Sequence, residues 1–391
     1  MKKGAFALLI LLVVLSGNKK LFSQNSLTYN PIQTVVPFLS IAPDSRAGGM
    51  GDVGVATSPD VYSMHWNPAK FAFIDGQGGV GISYIPWLRN LVPDINIAYL
   101  AGYKRIDSKQ VISASLLYSS LGRVELTDEY AFNFQDINPN EFSLDAAYSR
   151  LFSEHLSGGI AFRFIYSNLT NGVDVESRST KSGISFAADI SGYYKKDISI
   201  FNKNGLIGIG LNFSNIGSKM NYAEGQPSDF IPTNMRLGAS GTIFIDPRNK
   251  LTVALDFNKL LVPTDPIYSS EKPDSIIDGK DPNVSVPVAM FHSFYDAPGG
   301  FKEEMHEITI STGVEYWYME QFAMRVGYFN ETESKGNRKY FTLGAGFKWR
   351  IYSLNFSYLV PITQNNPLAR TLRFSLAFDF NAKKNPSKSK G

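Results

Sequence analysis

Cysteine is absent from all 391 residues, charged side chains make up only 19%, and histidine occurs four times. The missing thiol excludes a disulfide scaffold, a cysteine-ligated zinc or iron–sulfur centre and a thiol nucleophile. His65, His155, His292 and His306 are scattered, with no His-Glu-x-x-His pattern and no close pair, so the usual histidine zinc site is not written here. No Gly-x-Ser-x-Gly element occurs, and Ser45 beside Asp44 has no evident histidine partner. Gly48-Gly49-Met50-Gly51 lacks the Gly-Lys-Ser/Thr ending of a phosphate loop, and Asp274, Asp278 and Asp281 lack the spacing of a calcium loop. The expectation is a protein without catalysis, metal or cofactor.

Long apolar runs are missing too. The longest, Ala5 to Leu15, follows Lys2 and Lys3 and is too short for a spanning helix, which needs roughly 20 residues. Its basic start and short apolar core read as a secretory signal peptide over residues 1–23, cleaved after Ser23. Removing Lys2, Lys3, Lys19 and Lys20 leaves 34 basic against 35 acidic side chains. Four further lysines (Lys383, Lys384, Lys388 and Lys390) sit in a tail over 382–391, so no basic patch suited to nucleic acid remains.

What is abundant is alternation. Tyr352, Leu354, Phe356 and Tyr358 alternate with Ser353, Asn355 and Ser357, and Leu372, Phe374, Leu376, Phe378 and Phe380 with Arg373, Ser375, Ala377 and Asp379. Period two means a strand with one apolar face. Fourteen such segments fall between 77 and 381, each of a length to cross a bilayer at a tilt. Short links such as 106–108, 153–154 and 247–248 take turns with long ones such as 122–140, 168–181, 217–233 and 261–305. The expected fold is all-β: a transmembrane antiparallel β-barrel of about 14 strands with short periplasmic turns and long extracellular loops. An even strand number places both termini in the periplasm. Tyr84, Trp87, Tyr103, Tyr166, Tyr194, Tyr318, Trp349 and Tyr352, near strand ends, read as interfacial girdles.

Residues 24–76 break the pattern. Gly48, Gly49, Gly51 and Gly54 suit close backbone approach, and Ser58 or Asp60 is placed to cap a short helix over Val61–Trp66. Such a segment ahead of a barrel is expected to lie in the lumen as a plug. The alternating faces put Asp145, Arg163, Asp189, Arg236, Asp256, Glu315, Arg325, Arg373 and Asp379 inside, where charges of both signs are expected to pair with each other and with the plug rather than line an ion path. The second half of the 261–305 link carries Val286, Val288, Met290, Phe291, Phe294, Tyr295 and Phe301, apolar side chains on a loop that should face water, and so a candidate contact surface for another protein or for lipid, or a lid on the barrel mouth.

The run Ala42 to Thr57, with Asp44, Arg46, Gly48, Gly49, Gly51 and Asp52, followed by Trp66-Asn67-Pro68-Ala69-Lys70, resembles the PorV family of the type IX secretion system in Bacteroidetes. The glycine-rich stretch and the Asn67-Pro68-Ala69 before the first strand are also similar to the broader FadL family of fourteen-strand barrels. The first resemblance implies a non-catalytic outer-membrane component that binds the C-terminal signal domain of secreted cargo. It would collect cargo at a large translocon barrel and carry it to an attachment complex containing a sortase-like protein, with membrane lipid as surroundings. The second alone implies a channel for hydrophobic small molecules. A third idea attached to such relatives, deacylation of lipopolysaccharide, finds no nucleophile–base set here.

Overall fold

The computed structural model describes residues 29–127, 133–173, 179–272, 274–363 and 366–380. The leader expected over 1–23 and the lysine-rich tail over 382–391 lie outside the described residues. The barrel strands are β1 (Gly78–Pro86), β2 (Asn96–Arg105), β3 (Gln110–Ser120), β4 (Asn140–Leu151), β5 (Leu156–Asn168), β6 (Gly183–Ile200) and β7 (Lys203–Gly217). They continue as β8 (Asn234–Asp246), β9 (Asn249–Leu260), β10 (Thr309–Tyr318), β11 (Phe322–Asn330), β12 (Lys339–Trp349), β13 (Tyr352–Pro361) and β14 (Leu372–Phe380). Each pairs antiparallel with its sequence neighbours, and β1 closes on β14 from Gly78↔Phe380 to Tyr84↔Phe374, giving a closed fourteen-stranded barrel.

Alternation decides which way each residue faces. Val80, Ile82, Tyr84, Phe162, Phe186, Val253, Val326, Leu343 and Phe356 are all exposed, forming an apolar outer belt, while their chain neighbours are buried. An outer surface of this kind is stable only against hydrocarbon, and closure removes the unpaired edge that lipid cannot satisfy. Among the described residues no helix is long and apolar enough to cross a membrane; strands do the crossing.

Three details depart from expectation. The β6–β7 hairpin runs on to a two-residue turn at Phe201-Asn202, both at positive φ, so these strands are longer than their alternation over 182–196 and 205–216. The links 122–140 and 261–305 are not plain loops: the first holds a hairpin of Val124–Thr127 with Asn133–Ile137, the second a hairpin and two short helices. Two girdle aromatics face inward. Tyr103 is 5% exposed, stacks near Phe71 and donates its hydroxyl to Asp379, and Trp87 packs beside Phe329 and Leu368 at the barrel mouth. Tyr103 lies on the same face of β2 as Ile97, Tyr99 and Ala101, so register overrides the preference of its side chain for an interface.

Residues 29–76 run inside the wall from one end to the other. Asn30 donates its backbone N–H to Ser334 O (2.9 Å) and its amide to Glu303 and to Asp265 O, all at the long-loop end. At the other end the Arg105 guanidinium holds Ile74 O, and Gln77 N bonds Phe380 O. The even strand number fixes only where β1 begins and β14 ends. The chain before β1 is long enough to traverse the lumen, so residues 29–36 sit opposite the short turns, and the N-terminus itself lies outside the described residues.

Candidate functional site: the filled lumen, the mouth cavity and the apolar loop

Every motif residue holds the inner segment to itself or to the wall. Asp44 Oδ2 accepts the N–H of Ala47 and starts helix α1 (Ser45–Gly48), while its Oδ1 accepts Trp66 Nε1 at 2.7 Å, tying the two halves of the motif together. Arg46 reaches Glu315 of β10 with Nε and Nη2 (3.0 and 2.9 Å) and Asp60 with Nη1 (2.8 Å). Gly48 lies under the Arg373 side chain, and Gly49 lies against Gly344 of β12. Gly51 has φ 71° and packs on the backbone of Tyr328, where its N–H bonds Thr342 Oγ1. Asp52 accepts the Tyr340 hydroxyl at 2.6 Å and pairs with Arg373 at 3.4 Å. Asn67 spans Val55 O and Gly192 O with its amide and caps the turn that Pro68 begins; Pro68 O in turn accepts Ser149 Oγ. Helix α2 (Ser63–Trp66) starts two residues later than expected, with Asp60 accepting the Tyr62 N–H.

The close approach needs wall positions without a side chain. A Cβ on Gly327 would lie 2.0 Å from Gly51 N, and one on Gly210 would lie 2.1 Å from Val55 O. Glycine inside a strand usually weakens it, and here it marks where another backbone runs.

Most of the inward charges pair as expected. Arg163 bridges Asp145 (2.6 Å) and Asp189 (3.3 Å), and Arg325 pairs with Glu315 (2.7 Å). Asp256 accepts the N–H groups of Gly54 and Val55 at 2.7 and 2.9 Å, and Arg236 donates to His65 O while its guanidinium lies 5.1 Å from the Trp66 ring. Asp379 takes Tyr103. The alternation missed a further buried cation, Lys70, which donates to Gly54 O and Thr57 Oγ1; only its place in a non-strand segment with a Thr and Gly nearby could have hinted at it. It also missed an apolar half of the lumen. Ile85, Ile97, Tyr99, Leu117 and Ile165 face inward and are covered by Phe38, Leu39, Val61, Tyr62 and Met64 of the inner segment. The wall there is greasy, yet the chain itself fills it.

Above the segment, at the long-loop end, a cavity of about 300 Å³ remains. Its floor holds Trp66, Asp52, Arg236 and Arg373, and its sides include Trp87, Leu260, Phe329, Lys335, Arg338 and Leu368. Beside it stands the 261–308 loop. It holds helices α3 (Val286–His292) and α4 (Phe301–His306), and α4 rests on a buried ion network in which Lys259 binds Glu304 and Glu307, and Lys335 binds Glu303 and Glu307. Burial, then the neighbouring Glu304 and Glu307, push the Asp296 carboxyl up to about 6. Of the seven residues expected to form a partner surface, Val288, Phe291, Phe294, Tyr295 and Phe301 are exposed, at up to 79% for Phe301, and Val286 and Met290 are half-buried. The outward face gains Met305, while Ala289, Ser293, Asp296 and Ala297 anchor it from below. These apolar groups do not fold down as a lid.

No curated protein matches the chain in sequence. Among solved structures, the Pseudomonas putida toluene transporter TodX is 10% identical, covering 87% of this chain and 98% of its own, with a TM-score of 0.52, which supports the barrel fold alone. The Ralstonia pickettii toluene transporter TbuX (10% identity, 87% and 98% covered, TM-score 0.46) and a Pseudomonas aeruginosa FadL homologue (12%, 90% and 100%, 0.43) are more distant in shape. The profile of the family described as "Type IX secretion system protein PorV" matches residues 24–267, which takes in the Ala42–Thr57 motif, the Asn67-Pro68 turn and β1 to β9. The chain belongs to the PorV family, as an outer-membrane component of type IX secretion with a closed fourteen-stranded barrel.

Proposed function

We propose that this barrel is a non-catalytic carrier for secreted cargo. It binds the C-terminal signal domain of cargo on its extracellular loops, receives it at a large translocon barrel, and delivers it to a surface attachment complex with a sortase-like protein. The observation that carries this reading is the apolar face of α3 and α4, exposed at the long-loop end and braced from beneath by buried ion pairs. Water-facing apolar surface of this sort, on a rigid support, is a docking surface. Residues 29–76 act as a fixed plug rather than a gate, because each motif residue is spent on anchoring.

The alternative, a channel for hydrophobic small molecules, has the fold in its favour and the lumen against it. The inner segment occupies the apolar half of the lumen, and β1 to β5 pair in unbroken register, which leaves no lateral exit there. The one sharp irregularity near the long-loop half is the bulge on β7 at Asn215, whose N–H is held by Asp189.

Replacing Phe291, Phe294 and Phe301 together by serine should abolish recovery of secreted proteins on the tagged barrel from native membranes, at least tenfold by the usual weight of aromatic anchors. Heat-modifiable gel mobility should be unchanged, because none of the three belongs to the barrel wall and all three are exposed. Undiminished recovery would show that this face is not where cargo binds. Orientation is checked in the naturally cysteine-free background. A cysteine at Tyr29, 67% exposed, should react with an impermeant maleimide on intact cells. One at Asp107, in the β2–β3 turn, should react only after the outer membrane is permeabilised; the reverse pattern would invert the proposed topology.

A further inference from the structure

We propose that the mouth cavity is a carboxylate site that takes the free carboxy terminus of a polypeptide. This rests on the cargo reading above and adds which part of the cargo enters the barrel.

The cations on the cavity floor are not fully used. Arg373 is 1% exposed, yet its Nε and Nη1 have no acceptor, and Nη2 has only Asp52 at 3.4 Å. Arg236, 6% exposed, has one hydrogen bond to a backbone carbonyl and no carboxylate within ion-pair distance among the described residues. The cations higher in the cavity differ: Lys335 is held by Glu303 and Glu307, and Arg338 by Glu331 at 2.6 Å. Arg236 thus presents to the cavity a guanidinium that holds no carboxylate, and a carboxylate fits its planar fork best.

The rest of the lining describes what is attached to that carboxylate. Trp66, Trp87, Leu260, Phe329 and Leu368 make an apolar collar close to the cations. A cavity of about 300 Å³ has room for the last residue or two of a chain. Glu307, the C-cap of α4, lines the cavity from beneath the loop. Side-chain carboxylates lack an apolar group on the adjoining atom, whereas a chain terminus carries both.

The test uses the purified full-length barrel in mild detergent, with tryptophan emission as the readout because Trp66 and Trp87 line the cavity. Three probes are titrated: acetyl-valyl-leucine with a free carboxylate, the same peptide as its C-terminal amide, and decanoate. Losing a charge-assisted hydrogen-bonded pair should weaken the amide at least about tenfold, and decanoate should bind more weakly than the peptide acid. Arg236→Gln should remove the preference for acid over amide. Because Arg236 also touches the inner segment, Leu368→Trp, which fills the cavity and leaves both arginines in place, should independently abolish binding of the acid. Equal binding of acid and amide, tighter binding of decanoate, or full binding in folded Leu368→Trp would each overturn the assignment. If secreted proteins still co-purify while acid and amide bind equally, only the site falls. If the acid is preferred but no secreted protein co-purifies, the cargo terminus falls as occupant together with the carrier reading.

Discussion

Gly327→Leu is expected to drive Met50 and Gly51 off the barrel wall. A Cβ at 327 would stand 2.0 Å from both Gly51 N and Met50 C, and these are backbone atoms that no rotamer change can move aside. Overpacking a close-packed site typically costs 1–3 kcal/mol, and a clash with backbone should reach the upper end, about 3 kcal/mol or more. The turn that moves also carries the Gly51–Thr342 bond and the Asp52 contacts to Tyr340 and Arg373, so the loss spreads along the motif. The wall ladder itself is untouched, since β11 pairs through backbone groups on either side of Gly327. The measured signature is a barrel that still shifts mobility on heating but conducts ions in planar bilayers, where the parent protein is closed. Gly241→Leu is the matched control: its Cβ meets nothing within 4 Å and the side chain enters lipid. Equal stability and closure in Gly327→Leu and Gly241→Leu would mean that the inner segment does not lie against β11.

Arg46→Ala should have the second largest effect. Its guanidinium is shared by Glu315, Asp60 and Ser58, and Glu315 is 1% exposed. Removing one partner from a buried ionic cluster typically costs 3–5 kcal/mol, because the charge left behind has lost its water as well as its pair. Arg325 remains on Glu315 at 2.7 Å and keeps the effect near the lower figure. Arg46→Lys should fall in between, since an ammonium cannot reproduce the two-pronged contact. Thermal unfolding followed by gel mobility reads the order parent, Lys, Ala. A change in Arg46→Ala below about 0.5 kcal/mol, the range of ordinary surface substitutions, would show that the motif arginine does not anchor the segment.

Much of this architecture could be read from period two. Alternation such as Leu372-Arg373-Phe374-Ser375 contains both the direction of every side chain and the need for closure, because one slip would send Arg373 into lipid. The pairing of inward charges followed from the cost of burying them alone. What could not be read depends on contacts far apart in sequence. Nothing local to Gly327 or Gly210 announces Gly51 or Val55, and nothing local to Tyr103 announces Phe71. Strand parity placed both ends of the sheet but was silent about a preceding segment that crosses the lumen to Ser334. The motif residues Asp44, Arg46 and Asn67 were recognisable as a family mark, yet their work as caps and bridges appeared only with their partners Trp66, Glu315 and Gly192 in place. The mouth cavity draws on strands, the inner segment and loops at once, so no stretch of sequence could outline it.

The role in type IX secretion is tested most directly by affinity purification of the tagged protein from native membranes in mild detergent, with mass spectrometry of what accompanies it. Recovery of a very large barrel protein together with secreted proteins that share a C-terminal signal domain is the expected result. Recovery of the barrel alone with a bound hydrophobic small molecule would contradict the carrier role and favour a solute channel.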